Sequence, residues 1–329
     1  MQNQDAHLAE NIFDAPGQAA TRDGFGQALL ELGEINKDVV VLCADLAEST
    51  RVLAFKEKYP DRYVEMGVAE QNMATVASGL ANYGKVPFMA SYATFSPGRN
   101  NEQIRTTISL NNVPVKIVGA HAGVSVGPDG ATHQALEDLA LMRVQPNMVV
   151  LSPCDSEETR KATLAAAAHP GPVYIRLTRE KSPVMTTRDT PFTLGAANIV
   201  WESEHTPEVL IIATGPLLYH ALNAAKELEH AIATTVLNVH TIKPLDRQII
   251  ELAKMAGAVV TVEEHQIAGG LGSAVAEMLA ESQPTPQEFV GMRDVFGQSG
   301  EPKELYEHYG MGISHIIEAV KKAKSRKGL

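Results

Sequence analysis

Residues 63–84, YVEMGVAEQNMATVASGLANYG, decide how this chain is read. Up to Gly67 the stretch reads as strand and turn. Beyond it Met73, Val76, Ala77 and Leu80 recur at the spacing of one buried helical face, which predicts a helix over 70–83. That helix is apolar except at its opening, where Glu70 stands. A carboxyl group in such a place has two readings. It can complement the positive end of the helix, as Glu commonly does. Alternatively, burial can raise its pKa until it exchanges a proton near neutrality, as a catalytic acid must. Spacing alone favours the first reading, and the second draws its support from the rest of the chain.

Outward from this stretch, short apolar runs at 39–42, 86–89, 115–118, 148–151 and 173–177 predict buried parallel strands. Helical patterns at 24–32, 99–110, 136–143 and 156–168 lie between them, the last capped by Asp155 or Ser156 ahead of Glu158. Residues 180–193 are polar, carry Pro183 and Pro191, and read as a linker. A second alternation follows at 209–213, 217–228, 234–239 and 258–262, then a Gly-rich turn and helix at 269–279. That turn can cradle a phosphate, but Glu263 and Glu264 lead into it and would repel an anion. Tight helix–sheet packing is the better reading. The expected fold is α/β: two open, mostly parallel-sheet domains with helices on both faces. The expected bounds are an N-terminal extension at 1–18, a first domain at 19–182 and a second at 192–329.

The 329 residues suffice for two cores, and 44% hydrophobic with 20% charged residues is ordinary globular usage. A net charge of −11 argues against nonspecific nucleic-acid binding, and the basic tail KKAKSRKGL reads as a solvated helix end. Cys43 and Cys154 form no CxxC pair, so a reduced, cytoplasmic setting is expected. The first twenty residues hold Asp5, Glu10 and Asp14 and match neither a signal peptide nor a membrane span.

A second informative stretch, GAHAGVSVGPDGATHQALED at 119–138, leaves a predicted strand. In a parallel α/β sheet, ligands sit where strands end. His121, Asp129 and His133 offer donors and acceptors suited to a polyhydroxylated substrate, while the glycines let backbone approach closely. The spacing matches no zinc or EF-hand pattern.

These residues support a resemblance. GVAEQNM around Glu70, ADLAEST at 44–50, SYATF at 91–95, HAGVSVGPDGATHQ at 121–134 and PVYIRLTRE at 172–180 occur in the order found in transketolases. More closely, the chain resembles the C-terminal subunit of a split transketolase, with a thiamine-diphosphate pyrimidine-binding domain and a transketolase C-terminal domain. The resemblance implies transfer of a two-carbon ketol unit from a ketose phosphate to an aldose acceptor, with thiamine diphosphate as cofactor. It gives Glu70 a hydrogen bond to a nitrogen of the cofactor's aminopyrimidine, where it shares a proton as catalytic acid. It places Phe95 and Tyr92 against that ring and Asp45 near the cofactor. Arg22, Ser49, His121 and Arg179 are implied to hold the substrate phosphate, which suits guanidinium chemistry. Asp129 and His133 are implied to contact substrate hydroxyls near the reacting carbons, His133 also as a catalytic residue. In this family a GDG motif on a separate domain binds Mg²⁺ and the diphosphate, and no GDG occurs in this sequence. A partner chain, the N-terminal transketolase subunit, is therefore expected to bind Mg²⁺ and diphosphate in an α2β2-like assembly, with no metal held by this chain. The alternatives are a β-type subunit of another thiamine-diphosphate enzyme, such as a deoxyxylulose-phosphate synthase or 2-oxoacid dehydrogenase, or a non-catalytic binding subunit.

Overall fold

The computed structural model describes residues 1–327. Among these residues fourteen strands occur in chain order: β1 (Gln18–Ala20), β2 (Val39–Cys43), β3 (Tyr63–Glu65), β4 (Val86–Tyr92), β5 (Lys116–Ala120), β6 (Val149–Leu151), β7 (Val173–Arg176), β8 (Lys181–Pro183), β9 (Asn198–Glu202), β10 (Val209–Ala213), β11 (Thr234–Asn238), β12 (Thr241–Lys243), β13 (Val259–Gln266) and β14 (Gln287–Met292). The first sheet runs β12-β6-β7-β5-β4-β2-β3 and the second β14-β13-β10-β11-β9. Pairing is parallel except at one edge of each sheet, where β12 and β9 run antiparallel. The expected architecture of two mostly parallel sheets is therefore what the chain adopts.

The apolar run VVVL reads as doubly buried because both faces of β2 are covered. Val39, Val41 and Cys43 join one core layer with Phe25 and Leu29 from helix Thr21–Ile35. Val40 and Leu42 join another, with Met73 and Ala77 from helix Glu70–Asn82. Helices Thr21–Ile35 and Ser156–Ala168 approach so closely that a Cβ on Gly24 would lie 1.8 Å from the Ser156 carbonyl oxygen. Asp155 caps the second of these helices, accepting from the Glu158 N–H at 2.9 Å. Leu210, Ile212, Leu237, Leu271 and Val275 of the second domain continue the same core layer as Val40, so one apolar mass runs through both domains.

Three segments depart from the sequence reading. The helix expected over 99–110 is an α turn, Asn101–Gln103, followed by a wider π-helical run, Ile104–Ser109. Here Thr106 and Thr107 donate their hydroxyls to the carbonyls of Glu102 and Gln103, in a stretch crowded with β-branched residues. The stretch read as a linker contains β8, which pairs antiparallel with β1. Strand β12 follows β11 directly yet leaves the second domain to close the edge of the first sheet beside β6. Ala6 and Ile12, within the first 18 residues, are buried in the second domain's core, and Phe13 meets Trp201 edge-on at 6.0 Å. At the Gly-rich turn the carboxylate of Glu263 accepts from the N–H groups of Leu271 and Gly272 at 2.7 and 2.8 Å. The turn thus holds a carboxylate of its own chain, in keeping with the packing reading. Among the described residues no helix is long and apolar enough to cross a membrane.

Candidate active site

Most of the candidate residues gather where the parallel strands of the first sheet end, because they follow a strand's carboxyl terminus. Asp45 and Ser49 follow β2, Tyr92 ends β4, His121 follows β5 and Arg179 follows β7. Glu70 arrives by another route. After β3 the chain turns at Gly67, whose φ of +66° suits glycine. The Glu65 carboxylate fixes this turn, accepting from the N–H groups of Gly67 and Asp45 at 3.0 and 2.8 Å. The helix then opens on Glu70, whose side chain is 1% exposed. Its Oε2 accepts from Arg99 Nη1 at 2.5 Å, and among the described residues its Oε1 has only Ser91 Oγ, at 3.5 Å. Asn100 Nδ2 ties down the Glu70 carbonyl at 3.0 Å. The acid is sequestered and oriented, with one oxygen engaged only at the marginal distance of Ser91.

Beside it stands a cluster of flat rings. Tyr92 stacks on Phe95 with centroids 6.0 Å apart and on His121 at 3.8 Å. His133 meets the edges of Tyr92 and Phe95 at 6.0 and 5.6 Å. His121 is 2% exposed, and its Nδ1 is buried without a hydrogen-bond partner. Burial, reinforced by the charges of Arg22 and Arg179, pushes its pKa down to about 3. Its ring is therefore neutral at pH 7, with an unpaired nitrogen. Arg22 donates to the Ser49 carbonyl at 2.7 Å, and its own pKa is lowered by burial and then by the neighbouring charge of Arg51. Arg179 donates to the Val126 carbonyl at 2.8 Å. Arg22, Arg51 and Arg179 thus bring three guanidiniums near His121, Arg51 paired with Asp23 at 2.7 Å and Arg179 with Glu180 at 3.3 Å, donors suited to an anion with several acceptor oxygens.

The loop carrying Asp129 and His133 is held from behind by the second domain. Glu264, at 2% exposure, accepts from the Ser125 N–H at 2.6 Å and from the Tyr306 hydroxyl at 3.0 Å. Burial raises its pKa, and the nearby Arg176 charge opposes that rise. Gln134 Nε2 spans to the carbonyls of Val124 and Gln298 at 3.1 and 3.0 Å. Arg176, fully buried, pairs with Asp138 at 2.9 Å and donates to the Glu264 carbonyl at 2.7 Å. Gly123, at φ +89°, leaves space for the Glu264 carboxylate; a Cβ there would come within 2.2 Å of Oε1.

The structure therefore brings Glu70, Tyr92, Phe95, His121 and His133 together, with Arg22 and Arg179 alongside. Ser49 enters through its carbonyl oxygen. Asp129 lies exposed at the end of a short 3₁₀ run. Asp45 is exposed at φ +58°, and among the described residues no hydrogen bond or ion pair ties its carboxylate to the cluster. Sequence reasoning passed over Arg99 and Arg51 and gave Glu264 no part in the site. Arg51 carried a signal, lying two residues beyond Ser49 in the same loop. A cleft of about 870 Å³ opens between the domains behind Ser125 and Tyr306, yet none of the expected site residues lines it. The ring cluster instead lies near the surface, with Arg99 and Asp129 exposed. Among the described residues no group of three or more His, Cys, Asp or Glu side chains is placed to hold a metal.

Comparison with known proteins identifies the family of the chain. The family model for the transketolase pyrimidine-binding domain matches residues 17–184, and that for the transketolase C-terminal domain matches 195–316. A 6-deoxy-6-sulfo-D-fructose transketolase subunit from Clostridium sp. is 40% identical, over 93% of this chain and 95% of its own length. An apulose-4-phosphate transketolase subunit from Phocaeicola vulgatus is 37% identical, over 94% of this chain and 100% of its own. A solved structure described as an inactive beta4 tetramer of a split gene transketolase superposes with a TM-score of 0.87 at 46% identity, covering 94% of this chain and 99% of that one. The chain belongs to the transketolase family, matching its pyrimidine-binding and C-terminal domains.

Proposed function

We propose that this chain is the C-terminal subunit of a thiamine-diphosphate-dependent transketolase, moving a two-carbon ketol unit from a ketose phosphate to an aldose acceptor. A partner chain supplies the diphosphate and Mg²⁺ site. The observation that carries this reading is the buried Glu70 carboxyl beside a stack of flat rings, with one oxygen held only weakly, by Ser91 at 3.5 Å. That donor set fits the pyrimidine end of thiamine diphosphate: an acid for a ring nitrogen and aromatic faces for the ring. Once bound, the cofactor supplies the carbon nucleophile of the transfer. Glu70 holds the proton at the pyrimidine nitrogen. Phe95 and Tyr92 orient the ring and exclude water from its face, and Asp45 borders the cofactor. Asp129 and His133 hold the hydroxyls nearest the reacting carbons, and His133 moves a proton there. Arg22, Arg179, the unpaired Nδ1 of His121 and the Ser49 loop take the terminal phosphate.

Support for a separate partner comes from the solved split gene transketolase chain, which assembles as a beta tetramer and is described as inactive. The test is ketol transfer by this chain purified with a chain bearing the diphosphate-binding domain. Removing a catalytic proton-transfer group costs about 10²- to 10⁴-fold. We expect a loss of that size in kcat for Glu70→Gln, and no transfer by this chain alone. Unchanged turnover in the variant refutes the assignment.

A further inference from the structure

Arg99, paired with Glu70, has no part of its own in that mechanism. Arg99 donates from Nη1 to Glu70 Oε2 at 2.5 Å, and its Cζ lies 4.9 Å from the centre of the Phe95 ring. A guanidinium is flat, donates hydrogen bonds from its edge and stacks on aromatic faces. Arg99 therefore hydrogen-bonds Glu70 and sits over the Phe95 ring, the two contacts assigned above to the aminopyrimidine.

We propose that Arg99 is an internal stand-in for the cofactor ring: it occupies the ring's seat in the cofactor-free chain and must withdraw for thiamine diphosphate to enter. The inference rests on the assignment of Glu70 to the cofactor ring. Two features favour it. First, Glu70 is 1% exposed, and without Arg99 its nearest side-chain donor would be Ser91 Oγ at a marginal 3.5 Å. A buried carboxylate so weakly compensated is costly, so the cofactor-free chain needs a cation at this position. Second, the Arg99 side chain is 45% exposed, and Glu70 is its one ion-pair partner among the described residues. A half-exposed side chain anchored by a single partner has a short route to solvent. Because Arg99 follows Phe95 by one turn, with its N–H bonded to the Phe95 carbonyl at 3.0 Å, the side chain can swing without moving the aromatic face.

Competition of this kind lowers the apparent affinity for the cofactor by the fraction of molecules whose seat is empty. A seat filled nine times in ten weakens binding about tenfold. The test is calorimetric titration of thiamine diphosphate into the complex of this chain with its diphosphate-domain partner. Arg99→Met, with similar reach and no donor, should bind the cofactor about tenfold more tightly than wild type. Arg99→Lys keeps a charge that reaches Glu70 but loses the flat face, and should fall between the two. The cofactor-free Arg99→Met chain should melt at a lower temperature than wild type, and Glu70→Gln combined with Arg99→Met should recover most of the loss. Equal or weaker cofactor binding by Arg99→Met in a folded complex overturns the inference while leaving the Glu70 assignment intact. Should Arg99→Met fail to fold, Arg99→Lys decides it in the same way. A wild-type complex that takes up no thiamine diphosphate overturns both.

Discussion

Replacing Glu264 with leucine tests whether the second domain controls the substrate loop. The substitution keeps the volume and removes two hydrogen bonds to a charged acceptor, from the Ser125 N–H at 2.6 Å and the Tyr306 hydroxyl at 3.0 Å. Bonds to charged groups are worth about 1.5–3 kcal/mol each, a gross loss of about 3–6 kcal/mol. Part of that is regained because the variant no longer buries a carboxylate whose raised pKa records its desolvation. A net loosening of about 2–4 kcal/mol in the loop remains, which lowers protection of its amides by about 30- to 1,000-fold. The assay is hydrogen exchange followed by mass spectrometry on peptides spanning residues 122–134. Strand β10, buried at every position, serves as the control for global unfolding. Glu264→Gln keeps an acceptor oxygen for Ser125, so its loss should stay below about tenfold. Unchanged loop exchange in a folded Glu264→Leu chain would show that the second domain does not hold the loop.

Three further substitutions probe separate parts of the argument. Arg176→Met strands the buried Asp138 carboxylate and should destabilise the chain by about 3–5 kcal/mol in chemical denaturation; Arg176→Met with Asp138→Leu should recover part of that, and full additivity would count against the pair. Gly24→Ala drives a methyl into the Ser156 carbonyl and should cost about 1–3 kcal/mol or more as the two helices part, so an unchanged melting temperature would contradict the close approach. His240, stacked on Phe192 at 4.2 Å, has its pKa pushed down by burial from 6.5 to about 4. The unfolded chain therefore binds the extra proton between about pH 4 and 6.5, and stability falls as pH drops through that window by about 1.4 kcal/mol per unit from this one group. Glu158 and Glu263, raised by burial to about 7, act in the opposite sense between pH 4.5 and 7, so the comparison must be made between chains. Denaturation of His240→Asn against pH should give an acid limb shallower than wild type, and parallel limbs would rule out the assignment.

How far the sequence discloses this molecule depends on the range of each interaction. Helix Ser156–Ala168 and its Asp155 cap were readable because capping joins residues three apart. The helix headed by Glu70 was readable from periodicity, and the doubly buried β2 from an unbroken apolar run. Tyr92, Phe95, His121 and His133 were selected from separate motifs, and they do meet, because parallel strands deliver their following loops to one end of the sheet. The Arg99–Glu70 pair was not readable, since 29 residues and a loop of irregular path separate its members. Glu264 and Ser125 lie 139 residues apart, and no local pattern joins them. The sequence reading used Glu264 only as a charge that would deter an anion, whereas its carboxylate faces the loop of the other domain. The π-helical run eluded periodicity because its apolar spacing still resembles that of an α-helix.

The crossing of β12 into the first sheet has a consequence for how the polypeptide can be divided. Its backbone closes the β6 side of that sheet, so severing the chain between the domains would leave an open row of amide and carbonyl groups. Such a rim invites pairing with any extended segment, including the same rim on another molecule. The two halves of this chain are thus bound to each other by main-chain pairing as well as by packed side chains.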